Sequence, residues 1–150
     1  MNISEELIKE IVAKVCENLD TENKMPFERK MLSNGMFTVK TDTVKCGPFP
    51  FDIGDAQDGT SLLDVATLEE TPRISIGVME MDHCEFPWTL NYDEAEYVIE
   101  GNLTLKTANG DLESHAGDIN YIPKGSPIHF STPDHCRFMY VCYPADWANQ

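Results

Sequence analysis

Histidine is scarce in this chain, with four residues in 150, and so are basic side chains: 11 lysines and arginines face 26 acids, for a formal charge of −15. A surface that acidic repels phosphate backbones and anionic headgroups, which excludes nucleic acid and membranes as expected partners. No apolar run reaches the ~18 residues of a membrane span. The N-terminus opens on acids where a signal peptide would be basic, so a cytoplasmic location is expected. The five cysteines are an odd set without C-x-x-C spacing, unlike a disulfide framework or a zinc ribbon, and read as reduced intracellular thiols. There is no G-x-x-x-x-G-K-[ST] loop, so a bound nucleotide has no standard phosphate cradle. What remains is 41% apolar and 9% aromatic residues, enough to fill one core of ordinary size.

The apolar residues Ile3, Leu7, Ile8, Ile11, Val12, Val15, Cys16 and Leu19 fall on one face of a helix, predicting an amphipathic α-helix over 1–20. Ser4 is its expected N-cap, and Glu10 with Lys14 is an expected i,i+4 pair. Residues 21–35 are polar and rich in turn formers and read as a linker. From 36 to 150 the texture becomes short alternating runs broken by turn residues, the mark of an antiparallel sandwich or barrel. Strands are expected at 36–40, 62–69, 73–82, 94–100, 102–107, 111–114, 118–122, 127–131 and 137–143, with turns at Gly101-Asn102 and Asn109-Gly110.

Two segments of this region resemble the cupin pattern. Glu94 to Gly101 fits the end of His-x-His, three or four residues, Glu, six residues, Gly, and Gly117 to Gly125 fits Gly, five residues, Pro-x-Gly. The resemblance implies an all-β fold, a double-stranded β-helix (jelly-roll) barrel, here preceded by the helix. The histidine pair is absent: its positions fall on Trp88 and Leu90, or on Pro87 and Thr89. The later histidine position holds Ile128, with His129 one place on.

Because side chains alternate along a strand, Glu94, Glu96 and Val98 share one face. Facing inward, the two carboxylates would hold a divalent cation or split their pKa values so that one handles a proton. Facing outward, they are part of a generally acidic surface. His129 reads with either parity: a lengthened turn after Gly125 brings it inward as a ligand, and otherwise it is a wall histidine. At most Glu94, Glu96 and His129 are available as ligands, which disfavours a tightly bound transition metal and leaves a weakly held Mg²⁺. Trp88 and Tyr92 are expected to line or cap a pocket at the barrel mouth, as ring-stacking residues or as plain core. Lys124, Arg73 and Arg137 are the cations to ask for a phosphate contact, or are solvated charges.

The stretches 86–94, Tyr97-Val-Ile-Glu-Gly101, Ile122-Pro-Lys-Gly-Ser126, 128–134 and 143–148 together resemble the EutQ family of ethanolamine-utilization proteins. The resemblance covers roughly residues 35–150. It implies a dimeric cupin without the usual metal histidines, tied to a bacterial microcompartment and credited with acetate kinase activity, with ATP/ADP and Mg²⁺ as cosubstrates. On that reading Glu94 and Glu96 hold Mg²⁺, Lys124 or Arg137 neutralises phosphate, His129 orients the acyl group, and Trp88 and Tyr92 bind ligand. The helix, residues 3–19, resembles those that attach cargo to microcompartment shell proteins; its stripe equally suits packing on this chain's own barrel or across a dimer. A non-enzymatic assembly protein using the barrel as a platform is the competing expectation.

Overall fold

Three long antiparallel strands carry the structure, each alternating buried and exposed residues over most of its length: β5 (Ser75–Leu90), β6 (Asp93–Thr107) and β9 (Ser126–Tyr143). Around them lie β1 (Arg29–Met31), β2 (Phe37–Val39), β3 (Gly47–Pro48), β4 (Thr60–Asp64), β7 (Gly110–His115) and β8 (Ile119–Ile122). The computed structural model describes residues 6, 8–12, 14 and 25–150. The helix expected over 1–20 lies partly outside the described residues; those described, 6, 8–12 and 14, are helical, with the Glu10–Lys14 pair at 3.6 Å.

One seven-stranded sheet runs in the order β3-β4-β5-β9-β6-β7, with β8 added against β6. It folds on itself as a jelly roll because the long strands bend and serve both layers. β5 breaks register between Asp82 and Cys84, with His83 at φ 46°, and β6 breaks register around Gly101. Gly101 is thus a bend inside a strand and not the turn expected there. Its φ of +75° and the His135 carbonyl oxygen against its α-carbon leave no space for a β-carbon. The two strands expected on either side of it are one strand. In the same way 127–131 and 137–143 merge into β9, and the 73–82 strand continues to Leu90. The β6–β7 hairpin turns on Ala108-Asn109, with Gly110 already paired to Thr107.

The inward faces close over a core that includes Met79, Met81, Phe86, Leu90, Val98, Leu103, Phe130 and Phe138. A second, smaller cluster, Val44, Val65 and Val78, seals the outer face of β4 and β5 under the β1–β2 arm. Segment 21–35, expected as a linker, therefore contains β1. Arg29 fixes the arm with paired bonds to Glu70 at 2.7 and 2.9 Å, its guanidinium 5.5 Å from the Phe37 ring centroid. The rest of this outer face is bare: Tyr97, Ile119, Tyr121 and Tyr143 are 43%, 75%, 64% and 56% exposed.

Candidate functional site

Alternation along β6 turns Glu94 and Glu96 into the barrel, where they are buried, and leaves Ala95 and Tyr97 outside. Register sets their neighbours: Glu94 lies opposite Cys142 of β9 and Ile122 of β8, Glu96 opposite Tyr140 and Asn120. The Cys142 thiol donates to Glu94 Oε2 at 3.2 Å. Asn120 Nδ2 donates to Glu96 Oε2 at 3.0 Å, and Ser114 Oγ donates to Asn120 Oδ1 at 2.6 Å. Glu96 Oε1 is buried with no conventional donor among the described residues. Desolvation raises the Glu94 carboxyl to about 7. Desolvation, then the Glu94 charge, raises Glu96 further. Both shifts favour the protonated form of these buried carboxyls.

Of the positions without histidine, Leu90 is core and Trp88 joins a group of rings. Trp88 Nε1 donates to Tyr92 Oη at 2.9 Å, and Trp88 packs against Phe49 and Phe51 at 5.5 and 5.4 Å between centroids. Trp147, near the C-terminus, packs on Tyr92 at 5.7 Å and on Phe51 at 6.0 Å. Behind this plug a cavity of about 20 Å³ reaches Glu94, Tyr92 and Cys142. It has room for about one water. Among the described residues no group of three or more histidine, cysteine or acidic side chains is gathered around a metal position.

His129 does not join this interior. Ile128 and Phe130 take the inward positions opposite Trp88 and Phe86, because burying two large apolar side chains outweighs burying an imidazole. The turn after Gly125 is not lengthened, and His129 points to the outer face. There its Nδ1 lies 3.0 Å from Glu85 Oε1. Lys106 Nζ donates to Glu85 Oε2 at 2.6 Å and Ser131 Oγ donates to the same oxygen at 3.2 Å. Lys106 chiefly, helped by Ser131 and His129, holds the Glu85 carboxyl below its usual range. A surface depression of about 450 Å³ opens here, lined by Glu85, Trp88, Lys106 and His129 among others. A neighbouring one of about 600 Å³ shares Glu85 and Lys106.

The expected cations fall elsewhere. Arg137 is buried against the arm: its Nη2 donates to the carbonyls of Thr41 at 2.7 Å and Val44 at 3.0 Å, and its Nη1 pairs with Glu80. That guanidinium is committed to structure and not free for phosphate. Lys124 is exposed and lines neither depression; its backbone N–H donates to Asp93 Oδ1 at 2.9 Å. The structure thus brings Trp88, Tyr92, Glu94 and Glu96 together, keeps Lys124 and Arg137 apart from them, and leaves His129 outside the interior, sharing only the outer depression with Trp88. Glu85, Lys106 and Ser131 were not singled out from the sequence, because only the pairing of β5 and β6 with β9 joins them.

A profile of the family described as ethanolamine utilisation protein EutQ matches residues 3–149. A Clostridioides difficile protein named acetate kinase EutQ is 41% identical over 152 residues, 99% of this chain and 97% of that protein. The Salmonella typhimurium protein of the same name is longer: it is 34% identical, and the match covers 96% of this chain and 63% of it. The solved Clostridium difficile EutQ protein superposes with a TM-score of 0.76 at 42% identity, covering 85% of this chain and 93% of that one. A Cupin_2 domain from an Enterobacter cloacae XRE family transcriptional regulator shares the fold alone, with a TM-score of 0.50 at 12% identity over 57% of this chain and 96% of that one.

Proposed function

Because this chain belongs to the ethanolamine utilisation protein EutQ family, we propose that it transfers a phosphoryl group between acetyl phosphate with ADP and acetate with ATP. The observation that carries the reading is its 41% identity to a protein named acetate kinase EutQ along 97% of that protein's length. Mg²⁺ enters with the nucleotide, held by phosphate oxygens. The outer depression suits the chemistry better than the interior. At about 450 Å³ it matches small-molecule sites of roughly 300–1,000 Å³. The space of about 20 Å³ behind Trp88 admits no substrate. Phosphoryl transfer rests on positioning and charge neutralisation, and Lys106, which would have to turn from Glu85 to the phosphate, is the ammonium lining the depression. Glu94 and Glu96 are then a buried proton pair that shapes the barrel and not the Mg²⁺ ligands that the family resemblance suggests.

Purified protein given acetyl phosphate, ADP and Mg²⁺ should form ATP with a specific activity that is constant across successive chromatographic steps. Lys106→Ala should lower kcat/KM at least about tenfold, whereas Glu94→Gln should stay within about twofold of wild type. Equal rates in Lys106→Ala and wild type would assign the ATP to a contaminating kinase and end this reading.

A second reading, an assembly protein of a bacterial microcompartment in the cytoplasm, is favoured by the uncovered apolar surface. Ile8, Ile11 and Val12 are 50%, 51% and 55% exposed, and the Tyr97, Ile119, Tyr121 and Tyr143 face is bare. In this reading the sheet face pairs with a second copy in a homodimer, and the segment of residues 3–19 docks in a groove of a shell or cargo protein. Deleting residues 1–20 should leave the melting temperature within about 2 °C, a change below about 1 kcal/mol, while abolishing co-localisation with shell protein. A larger thermal loss would make the helix part of the barrel.

A further inference from the structure

Glu85 orients the His129 ring and selects the tautomer of its neutral form. Its carboxylate is fixed by Lys106 at 2.6 Å and Ser131 at 3.2 Å, and it faces His129 Nδ1 at 3.0 Å. An ionised carboxylate only accepts, so in the neutral imidazole Nδ1 carries the proton and Nε2 the lone pair. Among the described residues Nε2 has no partner, and the His129 side chain is 49% exposed beside the depression. A carboxylate that orients an imidazole while the second nitrogen faces solvent is the arrangement of an activated nucleophile. Lys106 stands beside it as the charge that a phosphoryl group needs.

Charge also bears on how two substrates would be handled. Acetyl phosphate and ADP are both polyanions, and the protein carries a formal charge of −15. Holding both anions at once beside a single lysine is costly at close range. Binding them in turn avoids that repulsion.

Resting on the acetate kinase reading, we propose that His129 Nε2 is a covalent phosphoryl carrier and that transfer proceeds by two displacements. In the first, the Nε2 lone pair forms an N–P bond with the phosphorus of acetyl phosphate. The P–O bond to the acetyl group breaks, and acetate leaves with its electron pair. The Nδ1 proton stays in place against Glu85, which stabilises the positive charge developing on the ring, while Lys106 neutralises the phosphoryl oxygens. In the second, a terminal phosphate oxygen of ADP forms the new P–O bond, the N–P bond breaks, and its electron pair returns to Nε2. ATP leaves and the imidazole is restored, with no net proton and no redox partner required.

The test supplies acetyl phosphate without nucleotide to the full-length chain and follows its intact mass. One acid-labile, base-stable phosphoryl group should appear, map to the peptide containing His129, and chase into ATP when ADP and Mg²⁺ are added. His129→Asn should lose the label and roughly a hundredfold of ATP formation, and Glu85→Gln about tenfold with the far-ultraviolet spectrum unchanged. His115→Asn, on the exposed β7 end beside Asp118, should keep both label and rate. ATP formation at the wild-type rate by His129→Asn, or label on another residue, overturns the carrier while the kinase reading stands. Neither ATP nor label from the wild type overturns both.

Discussion

Arg137→Ala should cost about 3–5 kcal/mol, the usual penalty for removing one partner of a buried charge pair. For a domain of this length that corresponds to a melting temperature lower by about 10 °C. The guanidinium is 10% exposed and joins three groups at once: the Glu80 carboxylate on β5 and the Thr41 and Val44 carbonyls of the arm. Its loss leaves those carbonyls short of donors above the Val44, Val65 and Val78 cluster, and the arm loses its attachment to β9. Arg137→Lys should recover little, because one ammonium cannot reproduce the planar fork that spans carboxylate and carbonyls together. The KM for acetyl phosphate at low temperature should not change, in contrast to the outcome expected of a phosphate ligand. A melting temperature within about 2 °C of wild type, or a KM raised tenfold without thermal loss, would overturn this assignment.

What the sequence made legible follows the range of the interactions involved. That Glu94, Glu96 and Val98 share a face needs only the two-residue period of a single strand, whereas that this face is the inner one follows from their burial in the folded barrel. Aromatic residues at the barrel mouth were readable from the cupin pattern, since Trp88 and Tyr92 occupy the stretch where its histidines stand, but the pattern does not decide whether they stack on a ligand or pack as core. The role of Arg137 was not readable, because its carbonyl partners lie 96 and 93 positions away in an arm whose packing no local pattern announces. Gly101 looked like a turn because glycine permits positive φ in both settings; only the His135 backbone lying across it makes it a bend within one strand. His129 carried an ambiguous signal, and the decision came from Ile128 and Phe130, whose burial leaves no other orientation. The Glu85, Lys106 and His129 group is assembled from three strands, so its members are unremarkable until the register of β5, β9 and β6 is known.

Glu96→Gln should make the protein more stable above neutral pH and flatten its pH dependence. In the folded wild type both interior carboxyls are raised above the ordinary 4.5, Glu94 to about 7 by burial and Glu96 further by burial and then by the Glu94 charge. A raised folded pKa means that the native state keeps a proton the unfolded chain has released. The resulting stabilisation is complete below about 4.5 and is lost as pH rises through about 7. At about 1.4 kcal/mol per pKa unit the Glu94 shift alone corresponds to about 3 kcal/mol across that window. The groups with lowered values act on the other side: Glu70 held by Arg29, Glu85 by Lys106 and Asp93 by the Lys124 N–H lose their contribution only as the medium becomes acidic. Melting temperatures between about pH 4.5 and 8.5 therefore report the interior pair. Glutamine at 96 keeps an oxygen for Asn120 Nδ2 and offers Glu94 a donor, so the variant removes one buried acid without orphaning its neighbour. The variant should melt about 5–10 °C above wild type at pH 8 and approach it as pH falls toward about 4.5. Parallel curves over the whole range would mean that Glu94 and Glu96 titrate as ordinary carboxylates and share no proton inside the barrel.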